Sequence, residues 1–250
     1  MQDLLAPSRS VLTVPLEIPE ARERLIVALD LPTGRQALHL VEGLEGTCQW
    51  FKVGLELYLA AGRTLVETLR ERGYSVFLDL KLHDIPNTVA GAVRSIGPVG
   101  AQLLTIHAAG GPSMLAAAAE AAASLADPPL LLAVTVLTSM DQAQLTATGV
   151  VATPAGQAML LAQMAFANGI RGFVCSPEEA ALLRAALPGS TLVTPGIRPA
   201  GAAIGDQRRI ATPAAALAAG ASYLVVGRPI TQAAHPAEAA RAILQEMSQG

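Results

Sequence analysis

Eight short apolar runs of β type recur along the chain, each followed by a stretch with helical patterning. The runs are Leu25–Leu29, Trp50–Val53, Val76–Leu80, Leu103–Ile106, Leu131–Val136, Gly172–Val174, Thr191–Thr194 and Tyr223–Val226. The helical stretches are Gly34–Glu45, Gly62–Arg72, Val89–Ser95, Gly111–Leu125, Gly156–Asn168, Pro177–Leu187, Pro213–Ala219 and Pro236–Met247. Ser176-Pro177-Glu178-Glu179 and Thr212-Pro213 carry an N-cap oxygen before a first-turn proline. Arg72-Gly73, Asn168-Gly169 and Ala219-Gly220 carry the glycine that ends a helix. Strict strand–helix alternation implies a parallel sheet, because parallel neighbours need a crossover between them. Eight such units in 250 residues predict an α/β fold closed into a single-domain (β/α)8 TIM barrel. No repeat or linker divides the chain. Residues 21–250 therefore read as the barrel domain and residues 1–20 as an N-terminal extension without an assigned role.

Composition removes several function classes. A net charge of −3 with no basic run does not suit nucleic-acid binding, which relies on clustered cations. The longest apolar run, Leu130–Leu137, is interrupted by Thr135 and is too short to span a bilayer. The N-terminus lacks the charged and apolar regions of a signal peptide. Cys48 and Cys175 have neither metal-ligand nor disulfide-framework spacing, and Cys175 reads as a buried structural thiol. A cytoplasmic protein without membrane or nucleic-acid partners is expected.

Of 17 basic residues, only Lys52 and Lys81 are lysines. Both fall at the C-terminal ends of expected strands, the face where such barrels place their chemistry. Asp30, Asp79, Asp84, His107, Thr138, Ser139, Arg198, Gly227 and Arg228 fall on the same face. A structural ion-pair network is the plain alternative. Against it, arginine suits structural pairing well, yet this arginine-rich chain keeps lysine at both positions. An ammonium can also release its proton to a reacting carbon, which a guanidinium cannot readily do.

The sharpest pattern is Asp79-x-Lys81-x-x-Asp84, continued by Ile85-Pro86-Asn87-Thr88. On a regular strand end, Asp79 and Lys81 would share a face because they are two residues apart. After the eighth run, Gly227-Arg228 offers backbone N–H groups and a bidentate guanidinium to an anion. The segment after the seventh run, from Thr194-Pro195-Gly196-Ile197-Arg198 to Gly205-Asp206-Gln207-Arg208-Arg209, reads as a mobile lid or a surface insertion. If the strand continues, His83 would face away from Lys81 and only cap or pack, while His107 reads equally as a ligand contact or a structural histidine. Asp79 and Asp84 could ligate Mg²⁺, but Lys52 and Lys81 beside them would repel it, so no metal site is expected.

Assembled, these motifs resemble the orotidine 5′-phosphate decarboxylase family in its bacterial branch. The Asp79-to-Thr88 segment matches its signature. Leu29-Asp30, Phe51-Lys52-Val53-Gly54, Leu137-Thr138-Ser139, Pro195-Gly196-Ile197-Arg198, Gly205-to-Arg209 and Val226-Gly227-Arg228-Pro229 match as well. The resemblance implies decarboxylation of orotidine 5′-phosphate to UMP and CO2, the last step of de novo pyrimidine nucleotide synthesis, with no metal or organic cofactor. It implies an alternating charged array of Lys52, Asp79, Lys81 and Asp84, with Lys81 protonating the carbon that loses CO2 and Asp79 beside the substrate carboxylate. Asp30 and Lys52 would bind ribose hydroxyls, Thr138 the pyrimidine edge, and Arg198, Gln207, Gly227 and Arg228 the 5′-phosphate. Asp84, Ile85 and Thr88 would reach into the neighbouring subunit of a homodimer.

The nearest rival is a Mg²⁺-dependent sugar-phosphate enzyme of the 3-keto-gulonate-phosphate decarboxylase or hexulose-phosphate synthase type. Those resemble one another in an acidic metal ligand on the second strand, where this chain has Lys52. A non-catalytic nucleotide-phosphate sensor would need no proton donor, and the complete charged array argues against it.

Overall fold

The structure, a computed structural model, describes residues 18–199 and 210–249. Helix α1 (Ile18–Arg22) leads into strand β1 (Leu25–Ala28), followed by α2 (Gly34–Gly43), β2 (Trp50–Gly54), α3 (Leu55–Glu71), β3 (Ser75–Leu82) and α4 (Pro86–Ile96). The chain continues through β4 (Leu103–His107), α5 (Gly111–Ala123), β5 (Leu130–Val134), α6 (Gln142–Ala147), α7 (Pro154–Ala167), β6 (Gly172–Val174) and α8 (Pro177–Ala186). It ends with β7 (Thr191–Thr194), α9 (Pro213–Ala218), β8 (Tyr223–Val226), α10 (Arg228–Thr231) and α11 (Pro236–Met247). The eight strands pair in chain order, all parallel, and β8 returns to β1. This is the closed (β/α)8 barrel expected from the alternation.

Two departures in the helices have local causes. The stretch expected from Gly62 begins instead at Leu55, and Gly62, at φ 67°, kinks two helical pieces joined there. A side chain would be strained at that angle, whereas glycine is not. Helix α6 was not anticipated, although Asp141 and Gln144 form a capping box at its start. The expected boundary between residues 20 and 21 falls inside α1, which packs on α11. The rest of the expected extension, residues 1–17, lies outside the described residues.

Strand alternation sorts side chains into two cores. One face of each strand packs under the helices, through residues such as Leu29, Val53, Leu104, Ile106 and Phe173. The other fills the barrel with Ile26, Ala28, Trp50, Phe77, Leu103, Leu132, Val193 and Val225. Each large side chain so buried contributes roughly 1.5–3 kcal/mol. Trp50 and Tyr223 pack with ring centroids 5.2 Å apart near the N-terminal end of the barrel. Arginines tie that end together: Arg24 Nε donates to the Ser222 carbonyl at 2.9 Å, and Arg184 donates to the carbonyls of Ser190 and Gly220. With this end filled, polar side chains on the next layer up face an open mouth.

Candidate active site

At the C-terminal ends of the strands lies a cavity of about 470 Å³. Ala28, Phe77, Val134, Val174 and Val225 give it apolar surface, and Asp30, Lys52, Asp79, Lys81, Thr138, Arg198, Gly227 and Arg228 also line it. Eight of the twelve residues singled out from the sequence thus converge here. Both lysines of the chain are among them.

The charged groups form a chain across the cavity. Lys52 Nζ donates to Asp30 Oδ1 at 2.8 Å and stands 3.6 Å from Asp79 Oδ2. Lys81 Nζ is 2.9 Å from both Asp79 oxygens, and Thr105 Oγ1 donates to Oδ1 at 2.9 Å. Lys52 and Asp79 are buried, so each charge needs its partners to offset lost hydration. Burial pushes the Asp79 carboxyl up, but the Lys52 and Lys81 ammonium groups, with hydrogen bonds from Lys81 and Thr105, outweigh it. Asp79 is held below its ordinary value and stays ionised. Gly54 makes room for this packing: a Cβ there would stand 3.0 Å from Lys52 Nζ and 3.4 Å from Asp30 Oδ1.

Asp79 and Lys81 do meet, but not by regular strand alternation. The register of β3 against β4 runs from Leu78↔Leu104 to Leu82↔Ile106, so β3 carries two extra residues. Lys81 lies within this bulge at φ 50°, the one positive-φ residue other than glycine among the described residues. Its backbone N–H donates to Thr105 Oγ1 at 2.8 Å.

Two guanidinium groups mark another part of the cavity. Arg228 opens the short helix α10, directly after Gly227. Arg198 is buried, and burial together with the neighbouring Arg228 charge lowers its pKa from the ordinary value. Two cations held this close favour a shared anion. The Arg198 N–H donates to the Ala211 carbonyl at 2.9 Å, and the Ala211 N–H to the Gly196 carbonyl at 3.3 Å. Those bonds hold Gly196–Arg198 beside Ala211. Residues 200–209, including Gln207, lie outside the described residues.

Asp84, Ile85 and Thr88 are exposed and do not line this chain's cavity. Asp84 Oδ1 accepts from the Ile85 N–H at 2.6 Å, at the entry to α4. Ile85, a large apolar side chain, is 66% exposed. His83 is exposed and His107 half-buried; their ring centroids lie 5.4 Å apart, and neither lines the cavity. Burial, the His83 ring and the Lys81 ammonium lower the His107 pKa, against a smaller opposing pull from Asp79.

Thr105, Gly54 and Gln232 were not among the expected site residues. Gln232 lines the cavity four residues after Arg228, a proximity the Gly227-Arg228-Pro229 motif could have signalled. Thr105 left no local signal, since its partners are 24 and 26 residues away. Among the described residues, no group of three His, Cys, Asp or Glu side chains could hold a metal, and no helix is long and apolar enough to cross a membrane.

Known proteins resemble this chain over nearly its whole length. It is 54% identical to the orotidine 5′-phosphate decarboxylase of Halorhodospira halophila over 226 residues, covering 90% of this chain and 96% of the relative. To the enzyme of the same name from Pseudomonas aeruginosa it is 50% identical over 224 residues, covering 89% and 97%. The crystal structure of orotidine 5′-phosphate decarboxylase from Lactobacillus acidophilus superposes with a TM-score of 0.78 at 38% identity, covering 90% of this chain and 98% of that one. Residues 23–243 match the family described as orotidine 5′-phosphate decarboxylase / HUMPS. With that match and this mouth of paired lysines and aspartates at the barrel's C-terminal face, the chain belongs to the orotidine 5′-phosphate decarboxylase / HUMPS family.

Proposed function

We propose that the protein decarboxylates orotidine 5′-phosphate to UMP and CO2 as a cytoplasmic homodimer, closing de novo pyrimidine nucleotide synthesis without a metal or organic cofactor. One observation carries this reading: a buried Asp79 carboxylate held between the chain's two lysine ammonium groups, in a cavity also lined by Arg198 and Arg228.

The reaction needs that charge pattern. When the C–CO2 bond of the substrate breaks, its electron pair stays on the ring carbon, in the ring plane, with no π-system to spread it. Stabilisation must then come from a preorganised cation. Lys81 is assigned that role: its ammonium faces the developing carbanion and passes it a proton, giving UMP. The neutral amine regains a proton from water. Asp79 lies beside the departing carboxylate. Two like charges about 4 Å apart at an effective dielectric of ~20 repel by roughly 4 kcal/mol, a term relieved as CO2 leaves. Stabilisation by Lys81 ranks above this repulsion, because it acts where charge develops.

The remaining assignments carry over from the family motifs that these residues match. Asp30 and Lys52 bind ribose hydroxyls, and Thr138 meets the pyrimidine edge. Arg198, Gln207, Gly227 and Arg228 hold the 5′-phosphate, and Gln207 enters through its sequence motif alone. Asp84, Ile85 and Thr88 serve the neighbouring subunit's site, a reading supported by their exposure and their absence from this chain's own cavity. A metal-dependent sugar-phosphate reaction would instead call for an acidic ligand on β2, where Lys52 stands.

The test is to incubate the purified protein with orotidine 5′-phosphate and excess EDTA while following CO2 and UMP. Turnover that survives the chelator is expected. No product, or an absolute requirement for added metal, would overturn the reading.

A further inference from the structure

We infer that Thr105 is a positioning residue: its hydroxyl pins the bulge in β3 and thereby sets the Lys81 ammonium against Asp79. The effect on turnover rests on the decarboxylase reading above; the effect on Lys81 itself does not.

The bulge poses a backbone problem. Between Leu78 and Leu82, β3 uses four steps where β4 uses two, from Leu104 to Ile106. The extra residues cannot all find ladder partners on β4. Lys81, at φ 50°, occupies a region that side-chain-bearing residues adopt only when surrounding contacts hold them there. The contact at this point comes from a side chain. The Lys81 N–H donates to Thr105 Oγ1 at 2.8 Å.

The same oxygen then reaches the site's chemistry. Thr105 Oγ1 donates to Asp79 Oδ1 at 2.9 Å, and Asp79 Oδ1 also accepts from Lys81 Nζ at 2.9 Å. The result is a closed ring running from the Lys81 backbone through Thr105 and Asp79 to the Lys81 ammonium. A hydroxyl can accept and donate at once, as this ring requires. Both ends of the lysine are referenced to one oxygen atom, on a strand packed on both sides. Thr105 is fully buried and does not line the cavity, so it acts through Asp79 and Lys81 rather than on a ligand.

Thr105→Val keeps the shape and removes both bonds, leaving a Lys81 N–H without its partner. Thr105→Ser keeps the hydroxyl. Because the chain has two lysines, labelling lysine side chains with ¹⁵N gives two ammonium signals, and the Lys81→Ala protein identifies which is which. Thr105→Val is expected to move the Lys81 signal and leave that of Lys52 in place, while Thr105→Ser restores the wild-type position. With orotidine 5′-phosphate, Thr105→Val should lose about 100-fold in kcat, the scale expected for a displacement near 1 Å, with UMP affinity within about threefold. Thr105→Ser should recover most of that loss. If the valine protein fails to fold, Thr105→Ala takes its place.

An unmoved Lys81 signal with full kcat would overturn the inference. So would equal losses of kcat and UMP affinity that serine does not rescue, since those mark general destabilisation. If the wild-type protein fails to turn over orotidine 5′-phosphate, the decarboxylase reading falls, while the Lys81 signal still decides the role of Thr105.

Discussion

Lys81 Nζ lies 2.9 Å from each carboxylate oxygen of Asp79, so the carboxylate grips the ammonium with both oxygens. An ammonium is compact enough to sit in this fork, and it can surrender a proton. A guanidinium is broad and planar and holds its protons too tightly for the proposed transfer. Lys81→Arg should therefore cut kcat by at least about 10³-fold while UMP still binds within about tenfold of wild type. Steady-state assays and a UMP titration check this. More than a tenth of wild-type turnover would remove Lys81 as the proton donor.

Asp79 should shape the acid limb of stability. Its unfolded carboxyl takes up a proton near the ordinary value of 3.8, whereas the folded one does so only at lower pH. The unfolded state thus binds more protons as pH falls, and the stabilisation from this ionised group is complete above that value. It is lost as pH drops through the folded pKa. Asp79→Asn should flatten this part of the profile. Urea midpoints for both proteins between about pH 6 and about pH 3 measure it, and parallel profiles would contradict the assignment.

The exposed Asp84–Thr88 segment predicts complementation between subunits. Mixing Lys81→Ala and Asp84→Ala proteins gives heterodimers in which one site regains both groups. Random re-association at equal amounts should restore up to about a quarter of wild-type activity, because half the dimers carry one intact site of two. Each parent alone should stay near its low baseline. If mixing adds nothing, Asp84 acts within its own subunit or not at all.

Arg198 and Arg228 should matter through the phosphate alone. Removing one charge-assisted hydrogen-bond donor costs about 1.5–3 kcal/mol, or roughly 10- to 100-fold in affinity. Arg228→Ala should weaken UMP by that amount and leave the weaker binding of uridine unchanged. Calorimetry with both ligands separates the cases, and equal losses for the two would place Arg228 elsewhere on the substrate.

Both cysteines should be silent in the native protein. Burial pushes the Cys48 thiol up to about 12, against a smaller pull from Arg22, and Cys175 is fully buried. Thiolate is the reactive form, so a neutral-pH thiol reagent should titrate neither residue until denaturant is added, and both afterwards. Rapid labelling of the folded protein would show that the barrel opens locally around one of them.

Much of the architecture is written in local patterns. A β-type run, a capping residue and a terminal glycine lie within one short stretch, so strand order and most helices could be read from neighbours in sequence. The convergence of the candidate residues was equally legible, because the ends of parallel strands in a closed barrel must share one face. Lys52, Asp79, Lys81, Thr138, Arg198 and Arg228 all sit at or just after strand ends in the sequence, and they line one cavity.

The chain by itself thus determined the barrel, the face on which the candidate site lies and the presence of both lysines there. How the lysines are held was a tertiary decision. Alternation on an isolated strand would have put Asp79 and Lys81 side by side without strain. In the barrel, a two-residue bulge and a left-handed Lys81 accomplish the pairing, stabilised by the hydroxyl of Thr105 on the next strand. Gly54 and the outward placement of Asp84–Thr88 belong with it, since close approach and exposure depend on which segments meet in space. Hydrogen bonds and steric clearance between distant parts of the chain exist only once the sheet has closed.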